Sequence, residues 1–264
     1  MNRLCFNQIT NYGLDLPEAL ALYARHGVQW ASLWHEKIDE TGVAETRRLL
    51  RDHGIRPVSI CGWYRRDRTT VTFEDRCRTI EIAAELEARQ VTLLVPGMQA
   101  FGASLEESRK RAFDYAARML EVGRKNGITL SLEPIHPKLA YPLSVVNTVA
   151  QAIDWCERLG PGIGIELDVN NVWWDPDLAR QVGRAIGKKL VCGVQLCDVP
   201  VGDPVVERAA LGEGIADLRA FVAMTEAAGH QGLYEIELIS PSLWERETEG
   251  YMRATLDACR GLLA

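Results

Sequence analysis

No two of the seven cysteines are spaced C-x-x-C; they stand singly at Cys5, Cys61, Cys77, Cys156, Cys192, Cys197 and Cys259, an odd number at irregular intervals. That pattern offers no disulfide framework and suits a reducing compartment. No long basic run is present, and the net charge is -6. The chain therefore has no stripe of Lys and Arg to neutralise a phosphate backbone, and no nucleic-acid partner is expected. No stretch approaches the roughly 20 apolar residues of a membrane span. The opening "MNRLCFNQIT" has no apolar core of signal-peptide length. A cytoplasmic protein with no membrane partner is expected. No G-x-G-x-x-G follows an apolar run, which removes the dinucleotide-binding sheet, and no Gly-rich phosphate loop is evident.

What the chain does contain is one unit repeated: a short β-branched run, a loop, then a segment with helical spacing. The runs are "LCFNQIT", "VQWASLW", "RPVSICG", "VTLLVP", "ITLSLEP", "GIGIELDV", "VCGVQLCD" and "YEIELIS". Between them lie amphipathic stretches such as "SLEESRKRAFDYAARMLEVGRKNG". There Ser104 and Glu107 have capping spacing, Phe113, Ala116, Ala117 and Leu120 form an apolar face, and Gly127 ends the helix. Glycines at 27, 54 and 232 read as similar stops. Eight strand–helix units in 264 residues imply a parallel sheet closed on itself. The fold expected is α/β, a single (β/α)8 TIM barrel spanning residues 1–264.

Alternate residues of a barrel strand face the lumen, and chemistry gathers at the strands' C-terminal ends. If Leu130 and Leu132 face the helices, Glu133 faces in. By the same alternation Asp168, Gln195 and Glu237 end their own strands pointing inward. Three carboxylates converging in a desolvated mouth repel one another unless a cation joins them. Glu133, Asp168, Gln195 and Glu237 are therefore the expected metal ligands. An all-oxygen shell suits a hard divalent ion, Mn2+ ahead of Mg2+ or Co2+, better than zinc. Glu166 and Glu235, one step deeper, read as structural charges paired with Arg or Lys.

His136, three residues beyond Glu133, is either a general base or an ordinary polar loop residue. His35 has the same placement after the second strand. His26, His53 and His230 sit beside glycines at helix ends, where a cation suits the dipole. Trp34, Trp63, Tyr64, Trp173, Trp174 and Trp244 all follow strands. Of these, Trp34, Trp63 and Trp173 are read as substrate lining, and Trp174 and Trp244 as equally suited to a subunit contact.

In "SLEP", "ELDVNNVWWDPDL", "VQLCDVP" with "ERAALGEGIADL", and "YEIELISPSLW", the chain resembles the xylose isomerase-like TIM-barrel superfamily, in its sugar phosphate isomerase/epimerase branch. The resemblance implies a divalent metal at the four residues named, with Glu133 and Glu237 as an acid/base pair on opposite faces of a small sugar. It also implies Arg208 at the substrate oxygens. Two positions depart from the family pattern. Asn171 replaces the histidine of D-x-x-H, facing substrate, and Gln195 replaces a histidine ligand. The activity implied is removal of a proton α to a carbonyl, giving isomerisation or epimerisation. A C-glycoside deglycosidase working with a second, smaller subunit is the alternative, and a non-catalytic barrel partner is another. An oligomer is expected. An apurinic endonuclease, which shares the fold, would need a histidine-rich metal cluster and a basic surface, and the chain has five histidines and an acidic balance.

Overall fold

The computed structural model describes residues 3–62, 71–202 and 207–263. Eight strands lie within them: β1 (Leu4–Asn7), β2 (Trp30–Trp34), β3 (Arg56–Cys61), β4 (Gln90–Leu93), β5 (Thr129–Leu132), β6 (Ile163–Asp168), β7 (Val191–Leu196) and β8 (Tyr234–Ile236). They pair in chain order, all parallel, and β8 returns to β1 to close the barrel. An outer helix follows each strand: Leu16–Arg25, Val43–His53, Phe73–Glu85, Leu105–Asn126, Val149–Leu159, Leu178–Gly187, Leu218–Ala227 and Thr248–Leu262.

Local sequence sets these boundaries. Asp15 and Glu18 form a reciprocal capping box, as do Thr72 and Asp75, while the Ser104 hydroxyl accepts from the Glu107 backbone N–H. Gly27, Gly54 and Gly127 end helices in the left-handed region. Gly232 does not share that role; the stop before β8 is Gly229, at φ +93°. The buried stripe of the Leu105–Asn126 helix runs through Ala112, Ala116, Met119, Leu120 and Gly123. Phe113 lies at its edge, packed on Trp155, so the apolar face is centred one residue away from the expected one.

The main core lies between strands and helices. Leu130, Leu132, Ile165, Leu167, Val194, Leu196, Tyr234, Ile236 and Leu238 all belong to it, so the alternate residues of those strands face the lumen. The strands are staggered: Asp168 is the register partner of Gln195, and Gln195 of Glu235. A residue at the mouth on β6 is thus level with progressively deeper residues on β7 and β8. Among the described residues no helix is long and apolar enough to cross a membrane.

Candidate functional site

Glu133 directly follows β5, Asp168 ends β6 and Glu237 directly follows β8. One carboxylate oxygen from each lies within 4.8 Å of the others, and all three residues are buried. Burial, then the charge of Asp168, pushes the Glu133 carboxyl well above the usual range. Burial and the charges of Glu133, Asp168 and Glu235 do the same at Glu237. Glu133 and Glu237 must hold protons or share a cation.

Asp168 is the member most fully bonded. Its Oδ1 accepts from the Asn170 backbone N–H at 2.9 Å and from the Cys197 thiol at 3.4 Å; its Oδ2 accepts from the Asn171 amide at 2.8 Å and from Arg208 at 2.9 Å. Arg208, 7% exposed, therefore makes an ion pair with the site itself. Its position is set by the loop after β7, where Asp198 and Ala209 exchange backbone hydrogen bonds and the Asp198 carboxylate accepts from the N–H groups of Val199, Gly212 and Ala216.

Asn171, in the short helix Val169–Val172 that continues β6, donates from one amide nitrogen to Glu133 Oε1 and Asp168 Oδ2, each at 2.8 Å. Its oxygen accepts from the backbone N–H of His136. It clamps two carboxylates together and ties them to the loop after β5.

Gln195 lies between the strands that carry Asp168 and Glu237. Its Nε2 donates to Glu235 Oε1 at 3.0 Å, and its Oε1, deeply buried, has no hydrogen-bond partner among the described residues. Three carboxylates within reach of one ion, with an unsatisfied buried amide oxygen on the strand between those of Asp168 and Glu237 and in register with Asp168, make a donor set that fits a hard divalent cation.

Among the described residues, Glu166 and Glu235 do not pair with Arg or Lys. Glu166 accepts from Ser131 and Gln90; Glu235 accepts from Asn7, Gln195, Ser32 and Cys5. The lumen below the mouth is lined with hydroxyls, amides and thiols, and a long cationic side chain would have to enter through the layer of side chains that fills it. Burial and then Glu235 push Glu166 up to about 8. Asn7 and Ser32 escape a reading centred on charge. Their signal is the inward alternation of "LCFN" and "ASLW", which places uncharged polar residues in the lumen.

The remaining sequence candidates are dispersed. Trp34 is fully buried, donating from Nε1 to Asn7 Oδ1 and packing with Ile9, Tyr12 and Cys61 into a second apolar cluster that Trp244 flanks. The His35 ring is directed to Thr79 and Asp39. The His136 ring stacks edge-on to Trp174, and its Nδ1 accepts from the Lys138 N–H, so what reaches Asn171 is its backbone. Trp173 is 39% exposed on the loop after β6. Trp63 and Tyr64 lie outside the described residues.

The profile of the family described as xylose isomerase-like TIM barrel matches residues 20–261. No curated protein matches the chain in sequence. Among solved structures, protein SMc04130 from Sinorhizobium meliloti 1021 is 30% identical, with a TM-score of 0.90 and 98% of each chain covered. The 3-keto-D-glucoside 4-epimerase YcjR from E. coli is 18% identical, with a TM-score of 0.77 over 99% of this chain and 98% of its own. An IolI protein with a bound zinc atom is 19% identical, with a TM-score of 0.79 over 99% and 98%. Barrel, mouth and profile agree: the chain belongs to the xylose isomerase-like TIM-barrel family.

Proposed function

We propose that the protein is a divalent-metal-dependent isomerase or epimerase of sugars or keto sugars that removes a proton α to a carbonyl. The observation that carries this reading is the convergence of Glu133, Asp168 and Glu237 on one point at the C-terminal end of the barrel. The likeness to a 3-keto-D-glucoside 4-epimerase supports the substrate class. Glu133, Asp168, Gln195 and Glu237 would hold the ion, Mn2+ or Mg2+ by the hardness of their oxygens. Bound there, the ion would stabilise negative charge developing on the substrate carbonyl oxygen.

The chain's own residues supply the rest. Glu133 and Glu237 are on β-ends separated by those of β6 and β7, and burial and neighbouring charge raise both carboxyls well above the usual carboxylate range, the direction a base and its partner acid require. One takes the carbon-bound proton and the other returns a proton on the opposite face. Asn171 orients the Glu133 carboxylate through its 2.8 Å hydrogen bond. Arg208 fixes Asp168 through a 2.9 Å hydrogen bond and would lend its positive charge to substrate oxygens bound there.

Elimination of an aglycone from a 3-keto glycoside begins with the same proton removal. One observation favours keeping it as the second reading. Among the described residues the exposed large apolar side chains, Tyr141, Trp173, Val201 and Ile215, all lie on the loops after β5, β6 and β7. Solvent deuterium incorporation into a panel of free sugars and 3-keto glycosides, with metal analysis of the same sample, separates the two. Exchange with epimer formation supports the first reading, and release of aglycone supports the second. Glu133→Gln and Glu237→Gln are each expected to lower turnover by at least about 100-fold, the scale of a positioned acid or base. Full activity in either variant would overturn the mechanism.

A further inference from the structure

Gln195 is in register with Asp168 on one side and Glu235 on the other, and the two atoms of its amide differ completely as ligands: the oxygen binds a cation, and the nitrogen repels one. Nothing on Gln195 itself decides between them. Glu235 does. Its Oε1 accepts from Gln195 Nε2 at 3.0 Å and from Asn7 Nδ2 at 2.7 Å, and its Oε2 accepts from Ser32 and Cys5. Asn7 is in turn held in one orientation. Its Oδ1 accepts from Trp34 Nε1 at 2.8 Å and from the Ile9 N–H at 3.1 Å, which leaves the amide nitrogen to bridge Glu235 and Glu237 at 2.7 and 3.0 Å. Glu235 is thus a buried acceptor surrounded by donors, outside the Glu133–Asp168–Glu237 trio. An acceptor at that place compels the Gln195 nitrogen to turn towards it and the oxygen to turn away, and that oxygen is the buried atom with no partner among the described residues.

We propose that Glu235 is a positioning residue that selects the oxygen of Gln195 as the fourth ligand and thereby makes the site an oxygen-only one, favouring Mn2+ or Mg2+ over Zn2+. The inference rests on the metal reading above and adds to it the residue on which the fourth ligand depends. Outer-shell hydrogen bonds of this kind typically carry roughly 10–100-fold in metal affinity. Glu235→Gln keeps the shape but supplies an amide that can donate back to Gln195 Oε1, so the ligand amide is free to turn over.

The test is Mn2+ and Zn2+ binding by calorimetry, with the Mn2+ electron paramagnetic resonance spectrum as a second readout, on the full-length parent, Glu235→Gln, Gln195→Ala and the double variant. Thermal unfolding of each confirms folding. Mn2+ affinity is expected to fall about 10–100-fold in Glu235→Gln, with Zn2+ affinity changed less and the Mn2+ spectrum altered. In the Gln195→Ala background the same Glu235→Gln change is expected to add less than about threefold, because the residue it acts through is gone. Should Glu235→Gln cost the same in both backgrounds, its effect is charge or packing and the positioning role is overturned. If the spectrum and affinity stay unchanged, it is overturned directly. If the parent binds neither ion, the metal reading falls and this inference with it; binding by the parent with additive losses overturns this inference alone. Should Glu235→Gln fail to fold, Glu235→Asp, which withdraws the acceptor by one methylene, is expected to give the same non-additive pattern, and additivity there overturns the role equally.

Discussion

Burial, then the charge of Asp168 at Glu133 and of Glu133 at Glu237, raises both carboxyls well above the usual carboxylate range. A divalent ion needs the oxygens those protons occupy, so protons and metal compete for the same places. The sign follows directly: raising pH removes the competitor, and apparent Mn2+ affinity is expected to rise with pH. Binding at a pH where the carboxyls still hold protons should release them to the buffer. Calorimetry in buffers of different ionisation enthalpy measures both, and binding with neither proton release nor any dependence on pH would show that Glu133 and Glu237 do not hold the ion. At the same scale, Asn171 illustrates what side-chain identity alone conceals. Its spacing three residues after Asp168 places it near the site, but only the fold shows that one amide nitrogen spans carboxylates from two strands.

The strand is the unit that converts spacing into a site, and β7 does so with a glycine. In "VCGVQL" Gly193 precedes Gln195 by one inward step, and a Cβ there would overlap the Glu166 carboxylate of the neighbouring strand. Gly193→Ala is therefore expected to displace Glu166 from Ser131 and Gln90 and to destabilise the fold by about 1–3 kcal/mol, measured as a shift of the denaturant midpoint. No shift would mean that the lumen has room to spare. Periodicity made the barrel readable: strict alternation in "TLSLE", "IELD" and "YEIEL" distinguishes the helix-facing residues from the lumen-facing acids without any tertiary information. It left β1 to β4 underread, because Asn7, Ser32, Ser59, Gln90 and Thr92 are neutral and attract no notice in a strand. It also assigned cationic partners to Glu166 and Glu235, since alternation says which way a side chain points and nothing about which donors the stagger brings level with it. That stagger pairs Gln195 with Glu235, forty residues on, in place of Glu237. His35 and His136 looked alike by position after a strand, yet the first has its ring directed at Thr79 and Asp39 and the second offers the site its backbone.

Across the whole barrel, five acids face the lumen, Glu133, Glu166, Asp168, Glu235 and Glu237, and the one cation bonded to any of them among the described residues is Arg208. Such an interior is stable only while some of those groups keep their protons, or while an ion replaces them. Glu166 makes the dependence measurable. Burial, then the charge of Glu235, raises it from the ordinary 4.5 to about 8. The folded chain therefore binds more protons than the unfolded one through that window, and the slope of unfolding free energy with pH is negative. The stabilisation is fully present below about pH 4.5 and is lost progressively as pH rises to about 8. Glu166→Gln imitates the protonated acid: its amide oxygen can accept from Ser131 and Gln90 as the carboxyl does. In chelator the parent is expected to lose thermal stability from pH 6 to pH 9 more steeply than the variant, whose melting temperature should exceed the parent's at pH 9 by a few degrees, the scale of about 1 kcal/mol in a chain of this size. Parallel curves for the two proteins would place the buried proton elsewhere. Excess Mn2+ should flatten the parent's curve at its high-pH end, since an ion bound at Asp168 removes the repulsion that this carboxylate exerts on Glu166.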